Sequence, residues 1–300
     1  MFSFTMNQKV FEIADIKIGG QPGVYPTVVF AGLFFKGSVD FQWAEKQLEE
    51  MYRISEETGV PVIPDFFIRR KEDIPGIIDF IASKIPMDKP FSIDIIEPEI
   101  KLLALKEAAD RGLLDRMIYN SIHIGVTLEE KKALSRYTPG MIIIVAFNPR
   151  DSSPDGRVEV LENGAHLIDE GLLKIAEDIG VDKILVDTAA MAPGENSGSA
   201  IAAIPIVKEE YGYPTGCAVH NVVEKSSWLK RYQDTKRVVD ASSNISIPLF
   251  GGDFLLFGPI ELSRLVIPVV AWVDILVSEY TERYFGVKPI DSHPRRRLIN

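Results

Sequence analysis

The sequence predicts an α/β fold in one domain spanning residues 1–300, a closed (β/α)8 TIM barrel. Three observations carry this expectation. Eight short apolar, β-rich runs recur along the chain, separated mostly by segments of helical periodicity. Several of these runs are continuously apolar instead of alternating, as strands of a parallel sheet covered on both faces are. No GxGxxG follows a strand and no P-loop occurs, so the usual signatures of a doubly wound sheet are missing. The length of 300 residues fits eight β/α units.

The elements follow in order. The first residues of the chain are expected to plug or flank the barrel base. The first strand is Pro26–Phe34, followed by a helix through Trp43, Leu48, Met51 and Ile54. Val60–Phe67 is the second, with a helix near Asp73–Ser83. Phe91–Ile96 is the third, and Pro98 opens the next helix, where a missing backbone N–H costs nothing. Arg116–Ile122 precedes a helix over Leu128–Arg136, which Thr127 is placed to cap. Met141–Phe147 is the fifth strand. Lys183–Asp187 follows a helix through Leu172, Ile175 and Ile179. Thr215–Val219 and Phe254–Phe257 complete the set, and a long helix over about Glu261–Tyr284 covers the side.

Composition excludes several function classes. With 33 basic and 43 acidic residues the net charge is −10, which argues against a general nucleic-acid binder. The run Arg295, Arg296, Arg297 reads as a solvated tail. The N-terminus lacks a basic start followed by an apolar stretch, so no signal peptide is expected. Leu262–Val277 is the most apolar long stretch, but it carries Arg264 and Asp274 and reads as a buried helix, not a membrane span. The single cysteine, Cys217, excludes a disulfide framework and a cysteine-rich zinc site, and a reducing cytoplasmic setting is expected.

In barrels of this kind, chemistry sits at the C-terminal strand ends. Here those ends carry Asp65, Asp94, Asn120 with Ser121, Asn148, Asp187, and His220 with Asn221. Any one of these residues is at home in an ordinary turn or helix cap. A ring of six such ends instead points to a polar, mostly uncharged ligand rich in hydrogen-bond donors, because carboxylates accept and carboxamides do both. Phosphate calls for more basic residues than Arg69, Arg70 and Arg150 supply. No metal is expected, since neither HxH nor HExxH occurs. His123 and Cys217 read as packed residues, and residues 192–199 read as a flexible loop over the site.

Longer motifs give a family resemblance. IKIGGQPGVYPTVV, YNSI, AFNPRD, LVDTA, GCAVHNV and GGDFLLFGPIE make the chain resemble, from about Phe11 to Phe285, the H subunit of tetrahydromethanopterin S-methyltransferase and its bacterial relatives. That family in turn resembles the corrinoid-dependent methyltetrahydrofolate methyltransferases and dihydropteroate synthase, all pterin-binding barrels. The resemblance implies that Asp94, Asn120 and Asp187 hold a pterin ring and that Asn221 contacts N5, the methyl-bearing nitrogen. Asp65, Asn148, Ser121, Gln21 and His220 are further candidates for pterin binding.

The implied activity is methyl transfer between a corrinoid (cobalamin) and N5 of tetrahydrofolate. None of His123, His166, His220 and His293 lies in the Asp-x-His-x-x-Gly setting of base-off corrinoid domains, so a separate corrinoid protein is expected to dock transiently over the mouth. The archaeal H subunits that the chain resembles carry a longer segment after the first strand, and the departure at Phe35-Lys36-Gly37-Ser38 implies a stand-alone, bacterial-type, tetrahydrofolate-specific enzyme. The alternatives are a tetrahydromethanopterin-specific subunit and a non-catalytic subunit that only binds the corrinoid protein. Related barrels make a homodimer the expected assembly.

Overall fold

In a computed structural model, residues 3–299 are described apart from 36, 193, 195 and 196. An antiparallel hairpin comes first, β1 Val10–Ile13 and β2 Ile16–Gly19, with Val10 opposite Gly19 and Ile13 opposite Ile16. Eight parallel strands then close into a barrel: β3 Val28–Phe34, β4 Val62–Phe67, β5 Phe91–Asp94, β6 Met117–Ile122, β7 Met141–Val145, β8 Ile184–Asp187, β9 Thr215–Cys217 and β10 Phe254–Pro259. Each pairs with the next in sequence, and β10 pairs back with β3. All eight expected strands are present, shorter at several ends than the sequence pattern indicates.

The two-residue period of the strands sorts the side chains. Val28, Phe30, Ile63, Ile118, Met141, Ile143, Leu185 and Phe254 form one apolar cluster inside the barrel, joined by Ile13, Ile16 and Ile18 of the hairpin. The hairpin therefore plugs the base, as expected of the opening residues. Intervening residues such as Val29, Val62, Phe66, Ile142, Ile144 and Val186 face outward into the larger cluster shared with the helices. Strands apolar on both faces thus account for the unbroken runs in the sequence.

The helices are α1 Phe41–Thr58, α2 Ile74–Lys84, α3 Pro98–Asp110, α4 Leu128–Arg136, α5 Pro154–Asn163 and α6 Leu172–Ile179. They continue with α7 Ser197–Tyr211, α8 His220–Lys225, α9 Gln233–Asn244, α10 Ser246–Leu249, α11 Ser263–Phe285 and α12 Pro294–Leu298. Thr127 Oγ1 accepts from Glu130 N at 3.1 Å, the expected cap of α4. Asp40 caps α1 by accepting from Trp43 N at 2.9 Å. Gly59, at φ 79°, ends α1 in the left-handed conformation that glycine tolerates.

Two buried carboxylates brace the N-terminal face of the barrel. Asp274 of α11 accepts from Thr27 N at 2.9 Å and Thr27 Oγ1 at 2.7 Å, fastening the long helix to the entry of β3. Lys208 of α7 donates from Nζ to both oxygens of Asp253 at 2.6 Å and to Gly20 O at 3.1 Å. Asp253 also accepts from Thr215 N at 2.9 Å, so one ion pair ties α7 to the starts of β9 and β10. Among the described residues no helix is long and apolar enough to cross a membrane.

Candidate functional site

The inward parity that places Ile63, Ile118 and Leu185 in the barrel interior continues two residues on. It aims Asp65 of β4, Asn120 of β6 and Asp187 of β8 into the mouth. Asp94, which pairs with Asn120 across β5 and β6, completes the group. These four residues come from alternate and adjacent strands, yet their polar ends converge. Asn120 Nδ2 lies 3.4 and 3.5 Å from the two oxygens of Asp65, spanning the intervening strand β5.

The electrostatics set this cluster apart from turn caps. Burial pushes the Asp65 carboxyl up to about 6, although Ser92 and the Asn120 amide beside it pull the other way. Burial likewise lifts Asp187 to about 6, opposed by the Ala189 N–H that donates to Oδ1 at 2.7 Å and by Arg157. Asp94 is driven well above the carboxylate range by burial and then by the charges of Asp65 and Asp187, with Lys101 opposing. The Asp94 carboxyl makes no hydrogen bond to another described residue. The mouth therefore holds carboxyl oxygens that the protein itself underserves with donors.

A second layer holds the cluster in place. Lys101 and Glu130 form a buried ion pair at 3.1 Å, and Lys101 Nζ also donates to Ser121 O at 2.6 Å. Tyr119 Oη donates to Glu130 Oε1 at 2.7 Å. Arg157, buried under the end of β8, donates from Nε to Thr188 O at 2.6 Å and from Nη1 to Ser153 O at 3.1 Å. It fixes the turn whose Ala189, at φ 60°, presents its N–H to Asp187. Neither network is legible in the sequence, because a Lys or Arg on a helix facing a sheet reads like any amphipathic position.

The other expected site residues serve different purposes. Ser121 stands beside Asn120, half-buried, and among the described residues its carbonyl rather than its hydroxyl is engaged, by Lys101. His220 and Asn221 open α8 just past β9. Asn221 is exposed and its carboxamide makes no hydrogen bond to a described residue, whereas His220 is buried, with Nδ1 2.8 Å from Asp240 Oδ2. Asn148 is buried and braces its own loop. Its Oδ1 accepts from Arg150 N at 2.9 Å and Asp151 N at 3.1 Å, and its Nδ2 donates to Gly156 O at 3.2 Å.

Gln21 requires a correction. It lies at the opposite end of the barrel, beside Gly252 and Asp253, which lead into β10. Its carboxamide clasps the Phe4 backbone, accepting from N at 2.9 Å and donating to O at 2.8 Å. The GGQPG segment belongs to the link between the hairpin and β3, so its glutamine faces the base and not the mouth.

His123 Nδ1 accepts from Gly125 N at 2.9 Å, a turn brace, and Cys217 is fully buried. The loop over 192–199 lies partly outside the described residues. Among the described residues no group of three or more His, Cys, Asp or Glu is arranged to hold a metal ion. Beside the ring, a cavity of about 270 Å³ adjoins the ends of β3 and β4 and is lined by Phe34, Phe67 and Arg69, with the Arg69 guanidinium 5.0 Å from the Phe67 ring centre.

The chain matches a family model described as the tetrahydromethanopterin S-methyltransferase MtrH subunit over residues 6–290. It is 36% identical to the H subunit of tetrahydromethanopterin S-methyltransferase from Methanothermobacter thermautotrophicus, with both chains fully covered. It is also 36% identical, over the whole of both chains, to the H subunit of a putative methyltransferase, mtx, from Methanosarcina mazei. Among solved structures, a dihydropteroate synthase from Coxiella burnetii in complex with pteroic acid superposes with a TM-score of 0.61 at 12% identity, covering 88% of this chain and 98% of that one. A dihydropteroate synthase from Yersinia pestis gives 0.62 at 10% identity, covering 90% and 100%. At such identities these two structures speak to the barrel fold alone.

Proposed function

The chain belongs to the tetrahydromethanopterin S-methyltransferase MtrH subunit family, and on that premise we propose that it transfers a methyl group between N5 of a tetrahydropterin and a corrinoid carried by a separate protein. The observation that carries this reading is the convergence of Asp65, Asp94, Asp187 and Asn120 at the barrel mouth, with carboxyl oxygens short of donors. A pterin presents an N–H and an exocyclic amino group along one edge, and a carboxylate answers that edge with two acceptors. Ligands lacking those donors leave the carboxylates buried and unpaired, which gives discrimination.

In this reading Asp94 and Asp187 take the donor edge, Asn120 bridges to Asp65, and Asn221 stands at N5. An amide at N5 is suited to the task because it does not titrate. It stabilises the nitrogen as it gains or loses the methyl group, a contribution of about 3 kcal/mol for one well-placed donor. Positioning supplies much of the remainder. None of the four histidines has the setting of a resident corrinoid ligand: His220 is committed to Asp240, His123 to its turn and His293 to capping α12, and His166 is exposed on the turn after α5. The corrinoid therefore enters as a substrate on its own carrier.

The pterin we assign is tetrahydromethanopterin, the one named in relatives that match along the full chain. The expectation of a stand-alone tetrahydrofolate enzyme finds no support in those relatives, which are all named as H subunits. The discriminating experiment offers the protein each methylated pterin with cob(I)alamin and follows methylcobalamin formation. Faster turnover on methyltetrahydromethanopterin is expected. Preference for methyltetrahydrofolate would return the substrate to the folate class, and inactivity on both, with partner corrinoid protein also supplied, would remove the enzymatic reading.

A further inference from the structure

Methyl transfer at N5 raises a proton question that the carboxylate ring and Asn221 do not answer. When the methyl group leaves N5 the nitrogen retains the bonding electron pair, and departure as an amide anion is prohibitive at neutral pH. A titratable group must supply a proton at that atom.

One candidate lies in the mouth. His220 opens α8, and its Nδ1 sits 2.8 Å from Asp240 Oδ2 of α9. Asp240 is 3% exposed, so its carboxylate is a fixed partner and not a surface contact. The imidazole also occupies space that β10 leaves open. Phe254 and Leu256 point into the barrel, and the register with β3 then shifts between Leu256 and Pro259, the stretch that holds Gly258. A Cβ built there falls 2.3 Å from His220 Cδ2 and 2.5 Å from Nε2. The glycine, at φ 81°, thus lets the ring lie against the backbone at the end of β10. Nε2 makes no hydrogen bond to a described residue.

We infer that His220, held by Asp240, is the proton carrier for N5, an inference that rests on the tetrahydropterin reading of the site. With Asp240 accepting from Nδ1–H, the neutral ring keeps its lone pair at Nε2, and the protonated ring presents Nε2–H. In the demethylating direction the N5–methyl bond breaks with its pair left on N5. The methyl carbon goes to the cobalt(I) corrinoid of the carrier protein, and the proton moves from His220 Nε2 to N5. The products are an N5–H pterin and a neutral imidazole. In reverse, N5 takes the methyl group and its proton returns to Nε2.

Glu224 lies on α8 itself and is paired with Lys236 of α9; Asp240 faces the ring from α9, and Phe254–Pro259 of β10 contributes no titratable side chain. Asp240 acts through His220 and is a positioning residue.

The test compares wild type with His220→Gln and Asp240→Asn, with folding checked by circular dichroism. Tetrahydropterin affinity is measured by calorimetry in buffers of different ionisation enthalpy, and methyl transfer from the methylated pterin is measured from pH 5 to 9. The expected result for His220→Gln is about a hundredfold loss of transfer rate, with a flattened pH profile and pterin affinity within about threefold of wild type. Asp240→Asn is expected to lower the transfer rate with pterin affinity within about threefold of wild type, and added imidazole to restore part of the rate of His220→Ala. Wild-type rate and profile in a folded His220→Gln, while wild type binds and turns over the pterin, would overturn this inference alone. Failure of wild type to bind any tetrahydropterin would overturn it together with the reading of the site.

Discussion

Asn120 and Asp65 meet across a strand that separates them: the amide of β6 reaches over β5 to within 3.4 Å of a carboxyl oxygen on β4. Residues on second-neighbour strands touch only if both point to the barrel axis. The contact therefore places Asn120 and Asp65 in one interior space. It also leaves most of the acceptor capacity of Asp65, Asp94 and Asp187 unused by the protein, which is the property a donor-rich ligand requires.

On the proposed reading, the carboxyl titrations are expected to make pterin binding pH-dependent. Burial pushes the Asp187 carboxyl up to about 6, and only its ionised form accepts two donors. Lowering the pH from 7 to 5 converts it from mostly ionised to mostly protonated, and affinity is expected to fall by about tenfold. Asp187→Asn is expected to bind weakly at every pH and to lose that slope. Calorimetric titrations at pH 5, 6 and 7 check both.

Stability carries the opposite signature. A carboxyl whose pKa is higher in the folded chain holds its proton longer there than when unfolded. Its favourable balance is complete below about pH 4 and is lost as pH rises through the folded value of about 6. Asp65→Asn is expected to match wild type at pH 4 and to exceed it by about 2 kcal/mol at pH 8. Urea unfolding at the two pH values measures this, and a variant less stable at pH 8 would show that ionised Asp65 is better served than its surroundings indicate.

Asn221→Ala separates chemistry from binding. With the carboxamide exposed and free of protein partners among the described residues, its loss is expected to leave stability unchanged within about 0.5 kcal/mol. Turnover is expected to fall about a hundredfold, with pterin affinity changed far less. Equal losses in affinity and rate would place Asn221 in ground-state binding.

The buried cation at the base tests the scaffold. Lys208→Met strands the Asp253 carboxyl among the starts of β9 and β10. Such an uncompensated charge is expected to cost about 3–5 kcal/mol. A double variant that also carries Asp253→Leu is expected to recover much of it. Chemical denaturation of the single and double variants decides.

Most of the barrel is legible in the sequence because its strands are apolar on both faces, a pattern that few other arrangements share. The strand-end acids are legible for a related reason: Asp65, Asp94 and Asp187 each interrupt or end an apolar run. Gln21 is misplaced by sequence reasoning because a Gly-rich segment near the first strand carries no sign of which barrel end it serves; the hairpin that decides this is too short to read as strands. Asn148 shows the limit of residue type alone, since a carboxamide suited to facing a ligand is spent on the backbone of 150, 151 and 156. Arg157, Lys101 and Asp240 are silent in the sequence because their partners are backbone carbonyls or residues far along the chain.

The central claim is that the inward-facing acids bind a tetrahydropterin, and calorimetric titration of wild type and Asp94→Ala with tetrahydromethanopterin at pH 7 tests it most directly. The expected result is saturable one-to-one binding by wild type and at least tenfold weaker binding by the variant. No heat with wild type, or equal affinity in a folded Asp94→Ala, would contradict it.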